Sequence, residues 1–330
     1  MKTVIIGASG HIGTYLVPRL VEAGMEVTAV SRGQRRPYHQ HDAWQSVQQL
    51  KIDREAAEGE NSFGRQIAEL EPDVVIDLIS FTKDSTTQLV NALEGRVQHF
   101  IHCGTIWTYG YSESVPTTEA DLKRPWGAYG VQKKEIEDYL LDKARKDNFP
   151  ASIFHPGHIV GPGWEFINPA GNRDPEVIRK LASGTKLNLP HLGLATLHHV
   201  HAADLALLCH LMITHWGHAV GESFNAVSER AITLRGYADA VARWFGKEAN
   251  LKFVEWEEWE ELEKGKLLDD IRLTQDHISH SPCHSIEKAK RLLEYKPCYT
   301  SLEAVYEALQ WSIEHGELKG LKLEGTRPEP

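Results

Sequence analysis

The 330 residues are 41% apolar and 25% charged, which suits one enlarged α/β domain or two ordinary ones and excludes a disordered, collagen-like or coiled-coil protein. Against 36 basic residues stand 46 acidic ones, a net charge of −10 that repels phosphate-rich partners such as nucleic acid or an anionic membrane. No long uncharged apolar run crosses a membrane, the N-terminus enters an apolar stretch without a leader pattern, and four scattered cysteines form no metal-spaced pair, so a cytoplasmic protein with reduced thiols is expected.

The first half alternates short Val/Ile-rich runs with longer helical stretches. Strands are predicted over 3–6, 26–30, 74–79, 99–103 and 151–155; none alternates cleanly, as befits strands buried on both faces. Between them helices are predicted over 12–23, 65–70, 84–93 and 129–146. Strand–helix repetition of this kind implies a parallel sheet with right-handed crossovers. Past residue 165 the pattern loosens, with helices predicted over 174–183, 202–214, 234–245, 255–263, 286–293 and 302–314 and a frayed tail at 326–330. In 255–263 the residues Trp256, Trp259 and Leu262 recur at helical spacing and read as core packing.

Gly7-Ala8-Ser9-Gly10-His11-Ile12-Gly13 directly follows the first strand and opens the first helix. The first glycine permits the tight turn, the second lets a pyrophosphate approach the backbone, and the third lets helix and sheet pack closely. The helix N-terminus then offers N–H donors to the anion, and Ser9, His11 and Ile12 border it. A carboxylate at the end of the second strand would favour NAD; Ser31 and Arg32 stand there, with Arg35 and Arg36 close behind. A guanidinium pairs with a 2′-phosphate, so NADP is the expected cofactor, with NAD the alternative if the basic loop is merely solvated.

Tyr129 and Lys133 are four residues apart at the start of a predicted helix, hence on one face. A nearby ammonium favours phenolate, and Lys133 is expected to lower the Tyr129 pKa toward working pH. The phenol could then take a proton from an alcohol as hydride leaves, or return it to a carbonyl.

With these motifs in place the chain resembles the extended short-chain dehydrogenase/reductase family, that of the NAD(P)-dependent epimerases and dehydratases. The likeness runs through Gly7, Gly10 and Gly13, Asp53, the 103–110 stretch, Tyr129 and Lys133, the 156–163 turn, Val200-His201-Ala202-Ala203-Asp204, Ser223-Phe224-Asn225 and Ser285-Ile286-Glu287. The resemblance implies that Thr105 holds the reacting oxygen, that Tyr129 is the acid/base, and that Lys133 holds the nicotinamide ribose and tunes Tyr129. It further implies cofactor contacts from Asp53, from Leu78, Ile79 and Ser80 at the fourth strand's end, and from Pro156 and His158. The implied architecture is α/β: a doubly wound Rossmann parallel sheet over 1–165, completed by about 198–230, with a smaller mixed substrate-binding lobe from 166–197 and 231–330. A homodimer through the 84–93 and 129–146 helices is implied as well.

Departures narrow the chemistry. Ile106 and Trp107 occupy the places where dehydratases of this family carry Asp-Glu, so dehydration is not expected. Leu197 takes the place of an arginine that pairs with a nucleotide diphosphate, which argues against a UDP- or GDP-sugar. The expected substrate is a small sugar-like molecule met by Phe81, Trp107, His158, Trp164, Asn168 and His199. His198, His199 and His201 lack an accompanying Cys or carboxylate at a metal spacing, so no metal is expected. Epimerase and reductase use the same residues and stay undivided. The rival class is a non-catalytic nucleotide-sensing or RNA-associated relative, against which the retained Thr105, Tyr129 and Lys133 weigh.

Overall fold

The computed structural model describes residues 1–263 and 268–325; the tail at 326–330 lies outside them. Strands β1 (Lys2–Ile6), β2 (Glu26–Ser31), β3 (Gln48–Lys51), β4 (Val74–Asp77), β5 (His99–Cys103), β6 (Ala151–Pro156) and β11 (Ser223–Ala226) form one sheet in the order β3-β2-β1-β4-β5-β6-β11. Every pairing in it is parallel. The order reverses between β1 and β4, so a crevice opens beyond their carboxyl ends, the place where a doubly wound sheet takes its ligand. The central strands are buried because helices cover both faces, each buried Val or Ile contributing about 1.5–3 kcal/mol. Sequence pattern misses β3, whose Gln48, Gln49 and Lys51 are exposed on the sheet edge and carry no apolar run.

Six short strands make three ribbons: β7 (His158–Val160) with β10 (His199–His201), β8 (Leu187–Pro190) with β13 (Leu251–Val254), and β9 (Thr196–Leu197) with β12 (Ile232–Thr233). Helices α1 (His11–Glu22), α2 (Arg54–Gly59), α3 (Phe63–Ala68), α4 (Lys83–Leu93) and α5 (Gly127–Asp147) belong to the sheet. Later come α6 (Pro175–Ser183), α7 (Ala202–Thr214), α8 (Trp216–Ala219), α9 (Leu234–Trp244), α10 (Trp256–Leu262), α11 (Leu268–His280), α12 (Glu287–Leu293) and α13 (Ser301–His315).

Leu16 and Leu20 of α1 and Leu205, Leu208 and Met212 of α7 share one apolar cluster. On the opposite face Leu89 and Leu93 of α4 pack with Ile136 and Leu140 of α5. A separate cluster gathers Ile178, Leu181, Tyr237, Val241 and Leu309 from α6, α9 and α13. Ile286, Ala289, Leu293 and Tyr295, expected with the lobe, join the sheet-side core instead.

Local signals set several boundaries. Asp174 caps α6 by accepting from Glu176 N–H, Pro175 follows, and Gly184 ends the helix at φ 70°. Thr300 and Glu303 close a reciprocal capping box at α13. Helix α11 escaped prediction because its inward stripe contains Thr274, His277 and His280, polar residues that the fold buries. Among the described residues no helix is long and apolar enough to cross a membrane.

Candidate functional site

At the crevice the glycine turn is built by close contact. Gly7 has φ +88°, and a Cβ on it would meet Ile79 Cγ2 at 2.7 Å, while one on Gly13 would meet the Ala8 carbonyl oxygen at 2.0 Å. Gly10 is the N-cap of α1 and no side chain caps that end, so first-turn N–H groups stay free for an anion. This cradle fits a dinucleotide's pyrophosphate. Arg32 is exposed at the end of β2, where Ser31 Oγ accepts from Gly33 N–H. The Asp53 carboxylate caps α2 through Ala56 N–H at 3.3 Å and is exposed.

Thr105 follows β5, and Tyr129 and Lys133 stand on the first turns of α5. Thr105 Oγ accepts from Trp107 N–H at 3.3 Å, which leaves its hydroxyl proton to donate elsewhere. Desolvation pushes the Tyr129 phenol up to about 12, the Cys103 thiol adds to this, and a hydrogen bond from the Thr105 hydroxyl opposes it. That rise runs opposite to the lowering expected from Lys133, and desolvation is its largest cause. Lys133 is buried and directs its ammonium at the carbonyls of Ser80 and Cys103, at 2.6 and 2.8 Å. Behind this turn Asp77 Oδ1 accepts from Ile79 N–H at 3.2 Å and from Arg54 at 2.8 Å, holding the end of β4 in place. The Ser80 hydroxyl bonds Thr86 Oγ1 at 2.7 Å and so faces the protein.

Phe81, half exposed, lies over the Lys133 ammonium at 4.8 Å and 6.5 Å from the Tyr129 ring, while Trp107 meets Tyr129 edge-on at 6.3 Å. Tyr129 itself keeps 44% of its surface accessible between them. From Trp107 a wall of rings runs on into the lobe. His280 of α11 is sandwiched between Trp107 and Trp126 at 4.2 and 4.3 Å. His277 meets Trp107 at 5.5 Å and His158 at 4.7 Å.

His199 is fully buried between His158 and Tyr237. Burial holds His277 near 4, His199 near 3 and His158 well below its ordinary value, so the wall is uncharged at neutral pH. Among the described residues no group of three His, Cys, Asp or Glu is placed to hold a metal.

Two of the expected substrate contacts have intramolecular partners. Trp164 stacks one face on His11 at 4.9 Å and 7°, beside Tyr38, at the start of α1. Asn168 spends both amide protons on Asn172 Oδ1 and the Asp174 carbonyl and its oxygen on Ala170 and Asn172 N–H, which organises the loop and leaves nothing for a ligand. Sequence reasoning also missed Trp126, His277 and His280; isolated rings in polar stretches carry no periodic signal.

The NAD dependent epimerase/dehydratase family is matched over residues 3–226. The chain belongs to this family. As a member it is 24% identical over 328 residues to the chloroplast stem-loop binding protein of 41 kDa b of Arabidopsis thaliana, covering 96% of this chain and 81% of that one. It is 23% identical over 252 residues to 2′-dehydrokanamycin reductase of Streptomyces kanamyceticus, 69% of each. Among solved structures, UDP-glucuronic acid 4-epimerase of Bacillus cereus in complex with NAD superposes with a TM-score of 0.71 at 18% identity, covering 96% of this chain and all of that one (100%). At that identity the likeness is one of fold.

Proposed function

We propose that this epimerase/dehydratase family member is an NADP(H)-using reductase or epimerase acting at a hydroxyl or carbonyl carbon of an uncharged, sugar-like molecule. The observation that carries the reading is the Thr105–Tyr129 hydroxyl pair at the mouth of the glycine cradle, backed by buried Lys133. When bound, the nicotinamide supplies or receives the hydride. Thr105, its lone pair engaged by Trp107 N–H, turns its one hydroxyl proton from Tyr129 to the reacting oxygen when substrate is bound. Tyr129, held near 12, is fully protonated at neutral pH and gives its proton to the oxygen as an alcohol forms, then regains one from solvent. Phe81 and Trp107 flank the reacting carbon and exclude water, and the neutral histidines beyond supply hydrogen bonds without charge.

Leu197, wholly buried in its ribbon, supplies no cation for a diphosphate, which supports a substrate free of one. The relative named for reducing 2′-dehydrokanamycin supports a carbonyl on an elaborated sugar. Ile106 and Trp107 supply no carboxylate for eliminating water.

Tyr129→Phe is expected to lower turnover by about 10²–10⁴-fold, followed as NADPH oxidation over a panel of keto-sugars, with cofactor affinity nearly intact. Unchanged turnover sinks the mechanism. Mass spectrometry of nucleotide released on denaturation divides the two cycles: retained cofactor supports an epimerase, an empty protein that prefers NADP a reductase. A second reading, binding of a structured RNA, draws support from the name of the Arabidopsis relative. Anisotropy with a stem-loop RNA tests it, and binding that persists in Tyr129→Phe favours it.

A further inference from the structure

Behind Thr105 lies a set of buried polar side chains that the chemistry above does not use. A Cβ on Gly104 would come within 2.5 Å of His155 Nδ1, so glycine is what lets that imidazole lie against the backbone. His155 Nδ1 accepts from Thr105 N–H at 3.2 Å. Its other nitrogen, Nε2, meets Glu137 Oε1 at 2.9 Å. The Lys123 ammonium bonds the same Glu137 oxygen, stands 3.3 Å from His155 Nε2 and lies over the Tyr109 ring at 4.9 Å.

A ring nitrogen that accepts an N–H carries no proton, so His155 bears its proton on Nε2 and points it at the carboxylate. Burial lowers the His155 pKa, which keeps the ring neutral. Burial pulls Glu137 the other way, yet the imidazole N–H and the Lys123 ammonium hold its carboxyl well below the usual carboxylate range. Glu137 follows Tyr129 and Lys133 at four-residue steps, so all three side chains share one face of α5.

We propose that His155, oriented by Glu137 and Lys123, is a positioning residue that fixes the Thr105 backbone and thereby the direction in which the Thr105 hydroxyl meets Tyr129. The helix that carries the acid/base thus also aims the hydroxyl opposite it. This rests on the proposed role of Thr105, but its test reads the arrangement itself.

The protein is labelled with 3-fluorotyrosine and the ¹⁹F resonance of Tyr129 assigned by its loss in Tyr129→Phe. His155→Leu removes the acceptor for Thr105 N–H and is expected to displace the Tyr129 resonance while those of Tyr237 and Tyr306, in the lobe core, stay put. His155→Asn, whose side-chain oxygen can replace Nδ1 as acceptor, is expected to restore the position. An unmoved Tyr129 resonance in His155→Leu, or no recovery in His155→Asn, overturns the proposal.

If the leucine variant does not fold, ¹⁵N-histidine spectra of the native protein decide. A His155 ring that stays neutral with a bare Nδ1 from pH 6 to 9 upholds the assignment, and one protonated at Nδ1 or titrating in that range overturns it. Failure here leaves the Tyr129→Phe turnover result standing, and the converse also holds, so the two readings fall separately.

Discussion

Gly13→Ala probes the glycine cradle most directly. The added Cβ would stand 2.0 Å from the Ala8 carbonyl oxygen, 2.5 Å from its carbon and 2.7 Å from its Cα. All three are backbone atoms, so relief requires α1 to lift from the sheet rather than a side chain to rotate. Overpacking costs about 1–3 kcal/mol in ordinary cores, and so close an approach to main chain puts this substitution near the top of that range. About 3 kcal/mol corresponds to roughly a hundredfold loss in the folding equilibrium. Because α1 presents its first-turn N–H groups to the anion, the same movement is expected to weaken binding of the nicotinamide dinucleotide. Gly59→Ala is the control: a Cβ there meets nothing within 4 Å, and the change is expected to stabilise by about 0.5–1 kcal/mol. Urea midpoints and calorimetric titration of both variants with NADP and with NAD provide the assay. A Gly13→Ala protein with native midpoint and native affinity refutes the close approach of turn and helix.

Two further outcomes follow from buried charge. Burial holds His11 and His199 near 3 and His99, His198 and His277 near 4. Folded values below the unfolded 6.5 mean that the unfolded chain protonates first; the associated stability is complete above about pH 6.5 and is lost as pH falls toward 4 and then 3. The urea midpoint is therefore expected to drop from pH 7.5 to pH 5, and a flat midpoint contradicts the assignment. Arg54→Met leaves the fully buried Asp77 carboxylate without its guanidinium. Breaking such a pair costs about 3–5 kcal/mol, read as a lower urea midpoint at unchanged slope, and a loss under about 1 kcal/mol counts against the network.

What was legible in the sequence divides by physical cause. The glycine turn, the buried central strands and the Tyr129–Lys133 pair depend on local spacing, so residue order alone exposes them. The aromatic wall does not, because Trp107, Trp126 and His280 come from separate segments and only tertiary packing stacks them. The intramolecular partners of Asn168 and Trp164 were hidden for a related reason: sequence order does not show which side chains the fold brings against a loop amide or an indole. The rise in the Tyr129 pKa was not legible because residue spacing does not report desolvation.

The stack of Trp107, His280 and Trp126 beside Tyr129 also has an optical meaning. Two indoles share one imidazole within 4.3 Å, and Trp107 is at the same time in edge contact with Tyr129. Any molecule that settles against Tyr129 changes the surroundings of that coupled pair. The protein therefore carries its own emission signal for ligand entry, and unlabelled compounds can be screened by intrinsic fluorescence before any turnover is known.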